Sequence, residues 1–86
     1  MPEISRFFGI SIKMFFGDHA PPHFHAEYGE YNAQVNIWSH VIIAGELPPR
    51  VLGMVVEWAS LHQDELFELW ELAAQNKPLH RIEPLK

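Results

Sequence analysis

Apolar and polar residues alternate near the start of the chain, between positions 4 and 16. A period of two predicts a half-buried β-strand. Gly9 interrupts the run, as a bulge or a tight turn between two short strands requires. The apolar residues at even positions are Ile4, Phe8, Ile10, Ile12, Met14 and Phe16.

A proline-containing loop follows this run. Gly17 and Asp18 end the alternation, and Pro21 and Pro22 come shortly afterwards. Proline fixes its own φ angle and biases the preceding residue toward extended geometry. Asp18 can tie the loop down through an Asx-type hydrogen bond. We therefore expect a stiff loop that is able to present ligands, although the same stiffness would serve simply to end a strand.

The pattern between positions 23 and 36 predicts a β-hairpin. Glycine at the first central position suits a type II′ turn, so we place the turn at Gly29-Glu30. Counting outward gives an apolar face with the pairs Tyr28–Tyr31, Ala26–Ala33 and Phe24–Val35, and a polar face with the pairs Glu27–Asn32, His25–Gln34 and His23–Asn36. A shift of one residue would mix the two faces, which favours this register. The three polar side chains of the first strand are thus predicted to project together.

A short strand from Val41 to Ala44 leads into a helical pattern that runs from position 49 to about 76. Ser60 to Gln63 fits a capping box, so two helices could meet there. We predict one helix, because the apolar seam keeps its phase and neither Gly nor Pro intervenes at that point. The seam consists of Leu52, Val55, Ala59, His62, Leu66, Leu69 and Ala73.

A single helix of this length is difficult to pack. About 28 residues at ~1.5 Å per residue span roughly 42 Å, whereas a chain of this size folds to a diameter of about 30 Å. The helix must bend, break near Ser60 or pack against a second chain. Residues 77–86 are interpreted as a docked extended segment. The predicted fold class is α+β, with a small, mainly antiparallel sheet of β-hairpins packed against one long C-terminal α-helix.

Composition narrows the function classes. The 86 residues form a single domain, 1–86, and the 48 % hydrophobic fraction supports a packed core rather than disorder. The chain contains no cysteine, which excludes disulfides and thiolate zinc sites, so any metal must be held by imidazole and carboxylate. We expect a cytoplasmic protein, because no signal peptide and no membrane-spanning run is recognised. The net charge of −5 disfavours nucleic acid as a partner without excluding it.

The polar face of the hairpin carries the candidate chemistry. His23 and His25 stand at i and i+2, so their Cα atoms are about 6.5–7 Å apart and the two side chains point the same way. Imidazole nitrogens can converge from that separation on a divalent metal such as zinc. Glu27 continues the row, and Asp18 or His19 can reach in from the loop. These five residues are the candidate metal ligands.

Two other interpretations of the same residues stay open. His23 and His25 can act without metal as a catalytic acid–base pair, for example in RNA transesterification, with Arg6, Lys13 or Arg50 stabilising the transition state. They can also have a purely structural or solvated role. His62 lies in the helical seam and is interpreted as a hydrogen-bonded core histidine.

Several motifs together resemble a small bacterial family known as a domain of unknown function. They are P-x-I-S-R-F-F-G-I at positions 2–10, D-H-x-P-P-H-F-H-A at 18–26, G-E-L-P at 45–48, E-W-A-x-L-H at 57–62 and I-E-P-L at 82–85. The resemblance implies no catalytic assignment. Ser60 departs slightly from the pattern, since an acid or another polar helix former is expected there.

The resemblance also implies a genetic context. Genes of such families commonly lie beside another small gene in an arrangement like that of a toxin–antitoxin pair. We therefore expect a protein-binding component of such a two-gene module, acting as a homodimer or in complex with the neighbour-encoded protein. The alternative is a histidine-centred nuclease or phosphodiester hydrolase, with or without a divalent metal.

Overall fold

The computed structural model describes residues 3–86 and contains one antiparallel sheet and two helices. The strands lie side by side in chain order, and the predicted α+β class is confirmed. None of the helices within residues 3–86 is both long and apolar enough to cross a bilayer. The elements are β1 (Glu3–Phe7), β2 (Ile10–Lys13), β3 (His23–Tyr28), β4 (Tyr31–Asn36), β5 (Ile42–Gly45), α1 (Pro49–Leu61) and α2 (Gln63–Ala74).

The first strand run divides at Gly9, as predicted, but the phenylalanine that enters the core beside the turn is Phe7 and not the predicted Phe8. Phe7 is 5 % exposed and belongs to the core, whereas Phe8 is 60 % exposed. The reason is an irregularity in the pairing of β1 with β2 between Glu3 and Ser5, which shifts the alternation by one residue. Phe8 then lies in the turn itself, with φ +49°.

The central hairpin forms in the predicted register. All six cross-strand pairs between β3 and β4 are those expected from a turn at Gly29-Glu30. Gly29 has φ +57°, and Glu30 is not among the residues with positive φ, as a type II′ turn requires. Phe24 and Val35 on the apolar face are fully buried, and Phe24 packs edge-on against Trp58 of α1.

The prediction of one long helix is wrong, because the chain breaks at His62. His62 has φ −128° and ψ 26°, and it separates α1 from α2. The capping box does not form, since the Ser60 hydroxyl donates instead to the Glu57 carbonyl. The break keeps both helices over a molecule that measures 33 × 25 × 22 Å, which a straight helix would overhang.

His62 itself is therefore the junction residue and not a core residue. Its side chain is 20 % exposed and lies against Trp58, with ring centroids 5.6 Å apart. Each helix still buries its apolar side against the sheet. The buried residues are Val51, Val55, Trp58 and Ala59 in α1, and Leu66, Leu69 and Ala73 in α2.

The C-terminal segment, residues 77–86, is extended and docked, as predicted. The Ile82 N–H donates to the Ile4 carbonyl at 2.7 Å, and Ile82 is buried. The indole N–H of Trp58 donates to the Glu83 carbonyl at 2.8 Å. One buried core therefore joins the sheet, both helices and this segment.

Candidate metal centre

The loop before β3 and the start of β3 bring three candidate residues together. His23 and His25 project from the polar face of β3, as the hairpin register predicts. Asp18 reaches them from the loop between β2 and β3. Ligand atoms of these three side chains all lie within 4.8 Å of one another, the only such group of three or more acidic or imidazole side chains within residues 3–86.

A single carboxylate oxygen lies at the centre of the cluster. Asp18 Oδ2 is 3.0 Å from His23 Nε2 and 3.0 Å from His25 Nε2. The two imidazole rings are 5.1 Å apart between centroids. The other oxygen, Oδ1, accepts the backbone N–H of His19 at 3.0 Å. Both oxygens of Asp18 are therefore engaged, and their direction is fixed.

Opposing effects act on the pKa of Asp18. Burial of the side chain would raise the pKa, because it penalises the charged form. Hydrogen bonds from His25 and from the His19 backbone, together with the charges of His23 and His25, outweigh burial and hold the pKa of this carboxyl below its usual value. Asp18 is consequently an ionised acceptor at neutral pH.

The hydrogen bonds of His23 determine where its protons lie. Nδ1 is 2.7 Å from the Pro21 carbonyl oxygen, which can only accept, so Nδ1 carries a hydrogen. A neutral imidazole has only one N–H, and Nε2 of a neutral His23 would therefore direct a lone pair at the Asp18 carboxylate. The contact is favourable only when Nε2 is also protonated or when a cation takes the place of that proton.

Neighbouring side chains hold the imidazoles in position. His23 is 2 % exposed although it lies on the polar face, because Trp70 of α2 packs against it with ring centroids 5.2 Å apart. Phe15 contacts His25 edge-on at 4.5 Å and 90°. The loop is tied to α2 by a hydrogen bond from the Gly17 N–H to the Ala73 carbonyl at 3.3 Å.

The other two predicted ligands lie apart from this cluster. Glu27 is on the same face, but its carboxylate pairs with Lys13 Nζ at 2.9 Å. The side chain of His19 is 87 % exposed, and its Nδ1 is 3.4 Å from Asp18 Oδ1, the oxygen that faces away from the other imidazoles. His19 is thus at the mouth of the site. Of the cations proposed to stabilise a transition state, Lys13 is paired to Glu27 and Arg6 to Glu3.

Two contributors to the site are absent from the sequence-based prediction. The Pro21 carbonyl fixes the tautomer of His23, and Phe15 orients His25. A backbone carbonyl carries no side-chain signal, and its direction depends on the path of the loop.

The donor set fits a divalent transition metal. Two imidazole nitrogens and one carboxylate oxygen are ligands that zinc, iron, manganese and nickel accept. Two donors that are each about 2.1 Å from one ion lie about 3.0 Å apart at an angle of 90°, and about 3.4 Å apart at the tetrahedral angle. The observed separations of 3.0 Å match the first case. Three protein ligands would leave further coordination positions of such an ion open.

A comparison with known families finds a match. A family model described as "Domain of unknown function (DUF4160)" matches residues 9–71 of the 86. The chain belongs to this family. The resemblance drawn from the sequence motifs is thereby confirmed, and the matched range of DUF4160 includes Asp18, His23 and His25. No match was found among curated proteins or among solved structures.

Proposed function

We propose that this DUF4160 protein holds a divalent transition metal ion at Asp18, His23 and His25 and hydrolyses phosphodiesters there, in the cytoplasm. The observation that supports the proposal is the shared contact of both imidazoles with one carboxylate oxygen. His23 Nδ1 carries its proton toward the Pro21 carbonyl, so the lone pair of Nε2 points at Asp18 Oδ2 and both atoms can bind one cation. A cation at this point satisfies all three groups without requiring an extra proton.

The site supplies the parts that hydrolysis needs. A metal bound there would lower the pKa of a bound water to about 7 and polarise the substrate oxygen. His19 lies at the mouth with its ring free to exchange protons with solvent, which suits a general acid or base. Gln34 is the cross-strand partner of His25 and places a neutral amide beside the site.

Phosphodiesters of small size fit the surrounding charge better than long polynucleotides. A polynucleotide requires several cations along its path. The nearest cation on the polar face, Lys13, is already paired to Glu27, and the chain carries a net charge of −5. A substrate with one or two phosphates can be bound through the metal and neutral donors.

Metal content is the direct test. The purified protein is dialysed against Zn²⁺, Mn²⁺ or Co²⁺ and analysed by elemental mass spectrometry, and we expect about one ion per chain. The Asp18→Asn and His25→Ala variants should lose the ion, whereas His80→Ala, which alters a histidine outside the site, should retain it. Absence of stoichiometric metal in the wild type under all three conditions would refute the proposed centre.

Activity is measured separately. The metal-loaded protein should cleave bis(p-nitrophenyl) phosphate, and the same ligand variants should abolish cleavage. If the protein binds one metal ion but cleaves neither this diester nor short dinucleotides, the metal centre is supported and the proposed hydrolysis of phosphodiesters is rejected.

A second candidate function, binding of a neighbour-encoded protein as a component of a toxin–antitoxin-like pair, is favoured by one surface. Phe8, Tyr28 and Tyr31 are 60 %, 37 % and 37 % exposed. They lie at the turns of the two hairpins, at one end of the sheet, where Gly9 approaches the Tyr28 ring. Phe8 and Gly9 both have positive φ, as the two central residues of a type I′ turn do, and Phe8 is exposed at this turn.

Co-expression tests this second candidate. The protein and the product of the adjacent gene should co-purify, and Phe8→Ser should weaken the complex. Leu61→Ser, which changes an apolar residue that is 67 % exposed at the end of α1, is the matched control. A stable pair that is unaffected by Phe8→Ser, or no pair at all, would reject this surface.

A further inference from the structure

Lys13 lies beside the proposed metal centre. The pairing of β2 with β3 sets Lys13 directly opposite His25. Residues in such a position point to the same face of the sheet, with Cβ atoms about 4.5–5.5 Å apart. The neighbour of His25 on its other side, Gln34 of β4, is neutral. Positive charge in the strand position next to this imidazole therefore comes from Lys13.

The amine of Lys13 is held against the polar face of the sheet by Glu27. Its Nζ is 2.9 Å from Glu27 Oε1, and the lysine side chain is only 16 % exposed. Glu27 stands two residues after His25 on the same face of β3, so the lysine side chain extends diagonally from His25 toward Glu27. The amine therefore lies one side-chain position away from the centre along this face.

The contact of Lys13 with Glu27 can be exchanged for a contact with another anion. The Glu27 side chain is 41 % exposed, so water can solvate its carboxylate when the amine leaves. Ion pairs in exposed positions contribute little to stability. Lysine carries its three donors on a flexible four-carbon stem. An anion bound beside His25 would therefore compete with Glu27 for the same amine.

The charge balance of the centre favours a second cation there. A divalent ion held by the Asp18 carboxylate and two neutral imidazoles keeps one positive charge, whereas a phosphate dianion brings two negative charges. In hydrolysis of a diester, the water oxygen bonds to phosphorus, the ester P–O bond breaks, and the leaving oxygen takes up the proton that the water gives up. The phosphoryl oxygens carry more negative charge midway than in the substrate, and a cation in contact with them stabilises that charge.

We propose that Lys13 binds the phosphoryl group of the substrate at the metal centre, by moving its amine from Glu27 to a phosphoryl oxygen. This rests on the proposed function and extends it, since it names the residue that recognises the phosphate. Glu27 holds the amine in the absence of substrate and therefore competes with the substrate for it. A single amine matches one phosphate group, in agreement with a preference for small diesters.

Isothermal titration calorimetry with inorganic phosphate measures this contact, on protein loaded with whichever of Zn²⁺, Mn²⁺ and Co²⁺ it retains best. Glu27→Gln releases the amine and should strengthen phosphate binding about two- to fivefold. The double variant Lys13→Met/Glu27→Gln keeps the net charge of the wild type but lacks the amine, and should bind phosphate about 3–100-fold more weakly. The matched control is Lys86→Met/Glu83→Gln, which removes a lysine–glutamate pair from the C-terminal segment and should bind phosphate as the wild type does.

Two results of this titration would overturn the role of Lys13. One is wild-type affinity in the double variant or no gain in Glu27→Gln, and the other is a metal-loaded wild type that binds no phosphate. Elemental analysis and circular dichroism of the same samples check that each variant keeps its metal ion and its fold. Glu27→Gln retains Lys13 and so tests the proposal even if the double variant does not fold.

Cleavage of bis(p-nitrophenyl) phosphate separates this proposal from the proposed function. Equal cleavage by the wild type and the double variant would support hydrolysis at the centre and reject Lys13 as a substrate-binding residue. Phosphate binding that depends on Lys13, without cleavage of the diester, would support the binding role of Lys13 and reject hydrolysis.

Discussion

Substitution of Asp18 by Asn tests the proposed metal centre most directly. Asp18 Oδ2 is the one atom that contacts both imidazoles, and the carboxylate supplies the negative charge of the donor set. Asparagine has nearly the same shape, so it keeps the volume and the acceptor toward the His19 N–H. It removes the charge and places either an oxygen or an NH₂ group, but no anion, between the rings. Metal affinity should therefore fall while the fold is maintained.

The magnitude follows from the linkage between binding and folding. A metal present at 100 times its dissociation constant stabilises the native state by about 2.7 kcal/mol. For a domain of this size, 1 kcal/mol shifts Tm by about 4–8 °C, so the wild type should gain about 11–22 °C. Loss of a residue that only hydrogen-bonds to a metal ligand lowers the metal affinity about 10–100-fold, and loss of a ligand itself lowers it at least as much. At a 100-fold lower affinity the gain at the same metal concentration falls to about 0.4 kcal/mol, or about 2–3 °C.

Differential scanning calorimetry measures both shifts. Wild type and Asp18→Asn are scanned with and without metal at one fixed concentration, after removal of metal with a chelator. His80→Gln serves as the control for nonspecific binding to histidine, because His80 lies outside the centre and contacts Glu65. Equal metal-induced shifts in the wild type and Asp18→Asn would refute the argument that this carboxylate is a ligand.

Three further predictions concern stability. The pKa values of Glu3 and Asp18 are lowered in the fold, for Glu3 chiefly because a serine hydroxyl donates to it, so the unfolded state takes up protons at higher pH than the native state. Both carboxylates therefore stabilise the native state above their unfolded pKa of about 4, and this stabilisation is lost as pH falls through their native pKa values. In urea titrations from neutral to acidic pH, the free energy of unfolding should fall less for Glu3→Gln than for the wild type. Gly45→Ala should lower the free energy of unfolding by more than about 1 kcal/mol in urea melts, because Gly45 has φ +80° and a Cβ would collide with a backbone oxygen of β4, whereas Gly53→Ala in α1, with open space, should raise it by about 0.5–1 kcal/mol. Trp58→Phe removes the indole hydrogen bond to the C-terminal segment and should cost about 0.5–1.5 kcal/mol, with faster proteolysis of that segment; an unchanged cleavage rate would contradict its role as an anchor.

The hairpin shows what local sequence determines. Gly29 fixes the turn, the turn fixes the register, and the alternation then places His23 and His25 on one face. Each step uses residues within a few positions of one another. The position of these two side chains could therefore be predicted without knowledge of the rest of the fold.

The break at His62 and the contacts of Asp18 depend on distant parts of the chain. The apolar seam runs through His62 without a change of phase, so only the capping-box pattern at Ser60 to Gln63 and the size of the molecule indicate a break. Asp18 meets the imidazoles because the loop is tied to the end of α2 through Gly17. Sequence spacing could not show that Asp18, His23 and His25 form the cluster while Glu27 does not. Glu27 pairs instead with Lys13, which lies on another strand.

Packing alone does not explain why His23 is buried. An apolar side chain against Trp70 in the same position would pack without desolvating a polar ring. The imidazole instead brings a buried Nε2 next to an ionised carboxylate, an arrangement that is favourable only with an added proton or cation. Exposed contacts such as that of His80 with Glu65 carry no such requirement, since water satisfies both groups. A polar cluster whose buried imidazole requires a proton or a cation, held by a stiff loop and closed by α2, therefore fits the ion that we propose it binds better than a purely structural role.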